Sequence, residues 1–219
     1  HSIIMIKLVI FDLDGTLLNT IADLANSTNY ALSQCGFPTH ETDEYNFFVG
    51  NGINKLFERA LPEGERNEEN IRLVRHKFLP HYDKFNHSLS SPYPGIPELL
   101  HTLQQKGIKL AVASNKYQEA TSKLVDHYFP NISFVSVLGQ REGIAAKPDP
   151  AVVYEILSIA SVDKDETLYV GDSGVDMETI KNSGVYGAGV TWGFRPRKEL
   201  EKFNPDYIVD KAEDILKLI

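Results

Sequence analysis

The sequence has very little cysteine, no long apolar segment and a deficit of basic residues. Cys35 is the only cysteine among 219 residues, which excludes an intrachain disulfide and is typical of proteins from reducing compartments. We therefore expect a cytoplasmic protein. The apolar run from Ile6 to Phe11 is interrupted by Lys7 and is too short to cross a bilayer. No signal-peptide cleavage pattern follows that run, so we expect no membrane partner.

The charge balance restricts the partners further. The chain has 22 basic and 30 acidic residues, a formal net charge of -8 at pH 7. A nucleic-acid partner would need a basic face, so we expect none. An anionic substrate would have to be attracted locally, by a metal ion, a lysine or helix N-termini. We expect a small-molecule partner and either a monomer or a homodimer.

The order of elements predicts an α/β fold that is interrupted near its start. A short buried-strand pattern ends at Phe11, and helical periodicity then dominates from Leu17 to about residue 90, without a strand pattern. Strands and helices alternate from Pro92 onward, and the predicted strands include Ile132–Leu138. Such alternation indicates a doubly wound, parallel, Rossmann-like sheet. We predict a core formed by 1–16 and 92–219, with an all-helical cap, 17–91, inserted after the first strand.

Two carboxylates two positions apart, Asp12 and Asp14, directly follow the first predicted strand. Like charges this close repel and are costly to desolvate. The pair therefore predicts a divalent cation, or a reaction that needs one ionised and one protonated carboxyl group. Gly15 allows a sharp turn and a close approach of the backbone to a ligand, and Thr16 opens the next segment. An acidic turn without chemistry is the alternative for this motif alone.

Further polar residues stand at predicted strand ends and helix starts. Ser114 and Asn115 follow one strand, whereas Lys147 precedes a helix. Asp172 and Asp176 follow a later strand. In a doubly wound sheet these positions can converge on one crevice beyond the carboxyl ends of the strands. Clustered carboxylates favour Mg²⁺, and a lysine favours a phosphoryl group. A helix cap at Ser114, a turn role for Asn115 and a helix N-terminal acid at Asp176 remain alternatives.

In order and spacing, these motifs resemble those of the haloacid dehalogenase-like phosphohydrolase superfamily over the whole chain. The stretch from Asp12 to Thr16 is similar to its first motif and Ser114 to its second. Lys147-Pro148 is similar to the third motif, and Gly171-Asp172 with Asp176 to the fourth. The helical insertion resembles the cap of the phosphoglycolate phosphatase-like branch. The resemblance implies a Mg²⁺-dependent phosphatase of small phosphomonoesters, phosphoglycolate favoured, that works through an aspartyl-phosphate intermediate.

The resemblance also implies roles for individual residues. Asp12 would be the nucleophile, Asp14 the general acid and then the base, and Lys147 would neutralise phosphoryl charge and restrain Asp12. The metal ion would be held by the side chains of Asp12 and Asp172 and the backbone carbonyl of Asp14. Asp176 would support the metal site through water. The remaining phosphate-binding residues would be Gly15, Thr16, Ser114 and Asn115.

Two alternatives stay open at the level of the sequence. A β-phosphoglucomutase-like phosphosugar mutase would share both aspartates, but such mutases typically carry Gly-Val where this chain has Gly15-Thr16. A non-enzymatic phosphate-responsive module, like a response-regulator receiver, would also use clustered carboxylates, Mg²⁺ and a lysine. Receivers are shorter, however, and lack a helical insertion.

We expect the cap to close over the crevice, with hinges near 17–20 and 86–92.

Overall fold

The structure, a computed structural model, describes residues 5–219. Its central feature is a six-stranded sheet in which every neighbouring pair of strands is parallel. The strands of the chain, in order, are β1 (Leu8–Phe11), β2 (Leu18–Asn19), β3 (Ser91–Pro92), β4 (Lys109–Tyr117), β5 (Ser136–Gln140), β6 (Thr167–Gly171), β7 (Tyr186–Val190) and β8 (Tyr207–Val209). The large sheet has the order β5-β4-β1-β6-β7-β8. The first strand therefore lies in the middle of the sheet, between β4 and β6.

Both faces of this sheet are covered. Successive side chains of a strand point to opposite faces. Val9 and Phe11 of β1 belong to one apolar cluster, whereas Leu8 and Ile10 belong to a second. All four side chains are fully buried. This explains why β1 is apolar throughout rather than alternating, as expected for a strand of a parallel sheet.

Five α-helices and a C-terminal 3₁₀ helix form the two outer layers of the core in the described part of the chain. The helices are α4 (Ile96–Gln105), α5 (Gln118–Tyr128), α6 (Ala151–Ala160), α7 (Gly174–Ser183) and α8 (Arg197–Glu201), with 3₁₀ helices at Lys164–Glu166 and Ala212–Leu218. Apolar residues of α4, α5 and the last 3₁₀ helix join the cluster of Val9, and those of α6, α7 and α8 join the cluster of Leu8. No helix within residues 5–219 is long and apolar enough to cross a membrane.

The segment between β2 and β3 is helical and has its own apolar cluster. It contains α1 (Ile21–Gln34), α2 (Ile53–Ala60) and α3 (Glu68–Phe85), with 3₁₀ helices at Thr42–Phe47 and Glu63–Glu65. The cluster is built around Tyr45, Phe57 and Phe78, and its buried members come from this segment except for Ala120 of α5. A separate cluster supports the predicted division into core and cap, which remains a prediction. Residues 1–4 of the predicted core lie outside the described residues.

Several element boundaries differ from the expectation. The helix expected from Leu17 begins at Ile21, because 18–19 form strand β2, which pairs antiparallel with β3. The prediction of no strand between 17 and 90 was therefore wrong. The two chain segments that enter and leave the cap lie side by side here, and the Tyr93 N–H donates to the Leu17 carbonyl at 3.1 Å. The strand expected at Ile132–Leu138 begins only at Ser136.

The aromatic core of the cap gives a stability prediction. The Phe78 ring lies 4.9 Å from that of Phe57 and 5.0 Å from that of Tyr82, centroid to centroid. We expect Phe78→Ala to lower the free energy of unfolding by about 3–5 kcal/mol, because it leaves a cavity among rigid rings. Leu73→Ala is the control on the same helix. Leu73 is 42% exposed, and its loss should cost about 0.5 kcal/mol or less. Equal losses in urea unfolding would show that this cluster does not stabilise the cap.

Candidate active site

The turn after β1 places Asp12 and Asp14 at the carboxyl end of the central strand. The Asp12 carboxylate accepts a hydrogen bond from the Leu13 N–H at 2.8 Å. Gly15 has a φ of 88°, and a Cβ at this position would lie 2.2 Å from Oδ2 of Asp172. Only glycine fits both conditions without a shift of the neighbouring carboxylate. The Thr16 hydroxyl donates to Oδ1 of Asp172 at 3.2 Å, so this loop orients the carboxylate at the end of β6.

Three of the predicted acidic residues meet at this point. Asp12, Asp172 and Asp176 each offer a carboxylate oxygen, and these oxygens lie within 4.8 Å of one another. The sheet order explains the meeting, because β1 and β6 are neighbours and the fourth motif follows β6 directly. The prediction that these residues converge on one crevice thus agrees with their positions, while their roles remain proposals.

Lys147 is buried in the middle of this cluster. Its Nζ lies 3.3 Å from Oδ1 of Asp12 and 2.9 Å from Oδ1 of Asp176. It also donates to the Ala113 carbonyl at 2.9 Å and to the Tyr169 hydroxyl at 2.7 Å. Burial alone would lower the pKa of Lys147, but the two carboxylates outweigh it and raise the pKa above its usual value. A charged lysine is therefore fixed against Asp12.

Asp176 is the most thoroughly hydrogen-bonded of the three carboxylates. Its Oδ1 accepts from Lys147 and from the Tyr169 hydroxyl at 2.6 Å, and its Oδ2 accepts from the Asp172 N–H at 3.1 Å. Burial acts to raise the pKa of Asp176, but the charge of Lys147 and these hydrogen bonds hold it below the ordinary value. Both oxygens are engaged by the protein. This agrees with the expected supporting role of Asp176 rather than direct contact with a metal ion.

The other two carboxylates carry excess negative charge. Burial, followed by the charge of Asp176, raises the pKa of Asp12 well above its usual range. The same two causes raise the pKa of Asp172 to about 7. One lysine therefore does not compensate three carboxylates. Hard oxygen donors with uncompensated charge are the ligand set that a divalent cation such as Mg²⁺ prefers, so the residues present fit such an ion.

This charge excess predicts a pH-dependent effect of metal on stability. In chelator, the folded protein retains a proton on Asp172 up to about pH 7, whereas the unfolded chain releases it near pH 4. The free energy of unfolding should therefore fall as the pH rises through this range, because the folded state binds more protons there. Added Mg²⁺ should raise the melting temperature more at pH 8 than at pH 5. An equal rise of the melting temperature at both pH values, or an undiminished rise in Asp172→Asn, would contradict a cation site that includes Asp172.

Asp14 lies apart from the carboxylate cluster. Its Oδ1 accepts a hydrogen bond from the Thr20 hydroxyl at 2.6 Å and lies 3.1 Å from Nζ of Lys116. Asp12 and Asp14 both line a cavity of about 40 Å³ between core and helical segment. The Asp14 side chain thus faces the cavity, where a general acid for a leaving group would be needed. The separation of its side chain from the carboxylate cluster agrees with the expectation that Asp14 would bind a metal ion only through its backbone carbonyl.

The two predicted residues at the end of β4 have different surroundings. Ser114 lines the cavity, and its Oγ accepts from the Lys116 N–H at 3.0 Å, which leaves its hydroxyl proton for a ligand. Asn115 also borders the cavity, but its amide is engaged. Its Nδ2 donates to the carbonyls of Gly50 and Lys147, both at 3.0 Å, and its Oδ1 accepts from the Lys147 N–H at 2.9 Å. These contacts favour a role in positioning Lys147 beneath the cap.

Sequence reasoning missed Lys116 and Tyr82. Lys116 is buried and contacts Asp14, and its Nζ donates to the hydroxyl of Tyr82 from α3. A lysine directly after Ser114-Asn115 at a strand end was a usable signal for Lys116. No local signal identifies Tyr82, because it is 34 residues away in the chain and meets Lys116 only through the fold.

Arg195 was missed as well, and it connects the core to the cap. Its guanidinium donates to the carbonyls of Asn46 and Val49, each at 2.9 Å. It also pairs with Glu199 at 3.0 Å, and Glu199 accepts from the Gly174 N–H at 2.8 Å. The residue before Arg195, Phe194, donates its N–H to Oδ2 of Asp172 at 2.9 Å. One loop thus contacts the carboxylate cluster and the cap at the same time.

These contacts predict that Arg195 stabilises the closed cap. We expect Arg195→Ala to lower kcat/KM for a phosphomonoester on the order of tenfold, because an open cap positions the substrate poorly. Arg197→Ala is the matched control, since Arg197 is half exposed and its pairs with Glu201 and Asp210 lie outside the cavity. Similar kinetics for the two variants would contradict a role for Arg195 in closure.

Comparisons with known proteins agree with this geometry. The family described as haloacid dehalogenase-like hydrolase matches residues 9–190. A phosphoglycolate phosphatase of Vibrio parahaemolyticus is 32% identical over 219 residues, covering 98% of this chain and 96% of the relative. That of Aquifex aeolicus is 31% identical over 213 residues, covering 97% and 96%. The solved structure of a candidate phosphoglycolate phosphatase from Lactobacillus delbrueckii has a TM-score of 0.92 and 34% identity, covering 98% of each chain.

The chain belongs to the haloacid dehalogenase-like hydrolase family. It is an enzyme of the phosphatase type, and the expected α/β fold with a parallel sheet is confirmed. The receiver-like signalling module that remained open at the level of the sequence has no support from these comparisons.

Proposed function

We propose that this enzyme hydrolyses a small phosphomonoester, phosphoglycolate favoured, with Mg²⁺ and through a phosphoryl group held covalently on Asp12. The observation that carries the proposal is the pairing of two carboxylates in one cavity. Asp12 is held by Lys147 at 3.3 Å, and Asp14 lies beside it with Thr20 and Lys116 as partners. One carboxylate is restrained for attack, and the other is free to exchange a proton with the leaving group.

Four residues have distinct roles in the proposed reaction. Asp12 attacks phosphorus and needs no activating base, since a carboxylate is already a nucleophile when ionised. Asp14 donates a proton to the leaving oxygen and then accepts one from the water that cleaves the aspartyl phosphate. Ser114 hydrogen-bonds a phosphoryl oxygen, and Lys147 holds Asp12 in place and adds positive charge.

A divalent cation fits the carboxylates of Asp12 and Asp172 and the carbonyl of Asp14, and when bound it would neutralise negative charge on the phosphoryl oxygens. Gly15 and Thr16 act on the phosphoryl site through Asp172, since the Thr16 hydroxyl donates to that carboxylate. Asp176 supports the same site by orienting Lys147.

The cavity supports a small substrate. Its volume is about 40 Å³, and the cap contributes the apolar side chains of Leu24, Val49, Ile53 and Leu56 to its wall. A cavity this small favours an ester with few carbon atoms over a larger ester such as a nucleotide. The names of the relatives from Vibrio parahaemolyticus and Aquifex aeolicus point to phosphoglycolate within that class.

Phosphate release tests the proposal. We expect phosphoglycolate to be turned over well above other phosphomonoesters with Mg²⁺, and turnover to be lost in chelator. Asp12→Asn should lower kcat by at least about 10³-fold, since it removes the nucleophile with little change of shape. Asp165→Asn, an exposed aspartate in the same core, is the control and should retain activity.

Each contrary outcome has a distinct meaning. Activity that survives Asp12→Asn would overturn the proposed nucleophile. Equal activity with and without chelator would overturn the metal dependence. Return of the phosphoryl group to a sugar phosphate instead of water would favour the mutase alternative.

A further inference from the structure

Lys116 occupies an unusual place in the cavity wall. It is 7% exposed, lies near the end of β4 and has its Nζ 3.1 Å from Oδ1 of Asp14. The same Nζ donates to the hydroxyl of Tyr82 and lies 4.5 Å from the centroid of its ring. Burying an ammonium group is costly unless its charge is used. Its charge is not needed at Asp12, because Lys147 already fills that place.

The hydrogen-bonding capacity of Lys116 is not exhausted. An ammonium group has three N–H donors. One points to Asp14 and a second to Tyr82, whereas no other described residue accepts the third. Because Lys116 lines the cavity, this third donor is available to a bound molecule.

No other basic side chain lines this cavity within residues 5–219. The neighbouring arginines are engaged outside it. Arg59 donates to the Phe48 carbonyl at 3.1 Å and to Oδ1 of Asn51 at 2.9 Å. Arg195 is held by the backbone carbonyls of Asn46 and Val49. A second negative group on a substrate would therefore find its charge partner in Lys116.

We propose that Lys116 is the specificity-determining residue that binds a carboxylate of the substrate. The proposal rests on the proposed function, in which Asp14 protonates the leaving oxygen. Since Lys116 is 3.1 Å from Asp14, a group bound to it lies next to that oxygen. The substrate class is therefore phosphate esters of small 2-hydroxy acids, whose carboxylate is attached to the carbon that carries the ester oxygen. Tyr82 belongs to the cap helix α3, so the carboxylate site is completed only when the cap is closed.

The test compares esters with and without the carboxylate. Phosphoglycolate and ethyl phosphate differ only in this group. We expect Lys116→Met to lower the ratio of their kcat/KM values about 10- to 100-fold, mainly through KM for phosphoglycolate. Lys116→Arg should restore part of the ratio. Lys123→Met is the matched control, because Lys123 is exposed and also reaches α3, at the Asp83 carbonyl 2.6 Å away, but does not line the cavity.

A binding measurement separates this proposal from the proposed function. The probes are 3-phosphonopropionate, in which a methylene replaces the ester oxygen of phosphoglycolate, and propylphosphonate, which lacks the carboxylate. In calorimetry with Mg²⁺, the wild type should bind the first more tightly, and Lys116→Met should remove the preference. If this holds but no ester is hydrolysed, only the proposed function fails. If Lys116→Met lowers kcat/KM equally for both esters, or affinity equally for both probes, Lys116 does not bind the carboxylate. The proposed phosphatase activity would be unaffected by that result.

Discussion

The buried ion group formed by Lys147 and its carboxylates is the constraint on which the rest of the structure depends. Lys147 lies 3.3 Å from Asp12 and 2.9 Å from Asp176, and it joins the ends of β1 and β6 to the loop before α6. Like charges within 4.8 Å of one another would otherwise force these strand ends apart. The glycine at position 15 exists for the same reason, since any side chain there would collide with Asp172. The buried lysine compensates charge in this cluster, and the glycine leaves room for one of its carboxylates.

The cap is attached to this charged centre at three places rather than through its linkers alone. Asn115 bridges Gly50 to Lys147, Tyr82 contacts Lys116, and Arg195 binds the carbonyls around 46–49 while its neighbour Phe194 contacts Asp172. Each contact joins a cap group to a residue that touches an active-site carboxylate or Lys147. A change in the position of the cap would therefore alter the contacts of the charged active-site residues. This arrangement would couple the proposed closure of the cap to the carboxylates that carry out the proposed phosphoryl transfer.

The predictable part of the molecule is the part set by local pattern. The apolar run before Asp12 predicted a buried strand, and the helical periodicity after it predicted the helical segment that contains α1, α2 and α3. Asp12, Asp14, Ser114, Asp172 and Asp176 were predicted to lie near one crevice because they follow parallel strands, whose carboxyl ends lie at one edge of the sheet. Their positions agree with that prediction, and their roles remain proposals. Strand β2 was missed because two residues carry no periodicity. Tyr82 and Arg195 were missed because their partners lie 34 and about 150 residues away. Asn115 was expected to bind phosphate, whereas its side chain connects Gly50 of the cap to Lys147 of the core. These partners are distant in sequence, so the local pattern does not reveal them.

In the proposed reaction, the phosphoryl group passes through Asp12. The most direct measurement is mass spectrometry of the acid-quenched enzyme after mixing with p-nitrophenyl phosphate and Mg²⁺, using Asp14→Asn to slow hydrolysis of the intermediate. The nitrophenolate group leaves without a proton from Asp14, so the first step survives in this variant. Because Asp14 is proposed to activate the water in the second step, this variant should accumulate one phosphoryl group on the peptide that contains Asp12. The adduct should be absent in Asp12→Asn. A phosphoryl group on another residue, or turnover without any covalent adduct under conditions that trap acyl phosphates, would contradict the account.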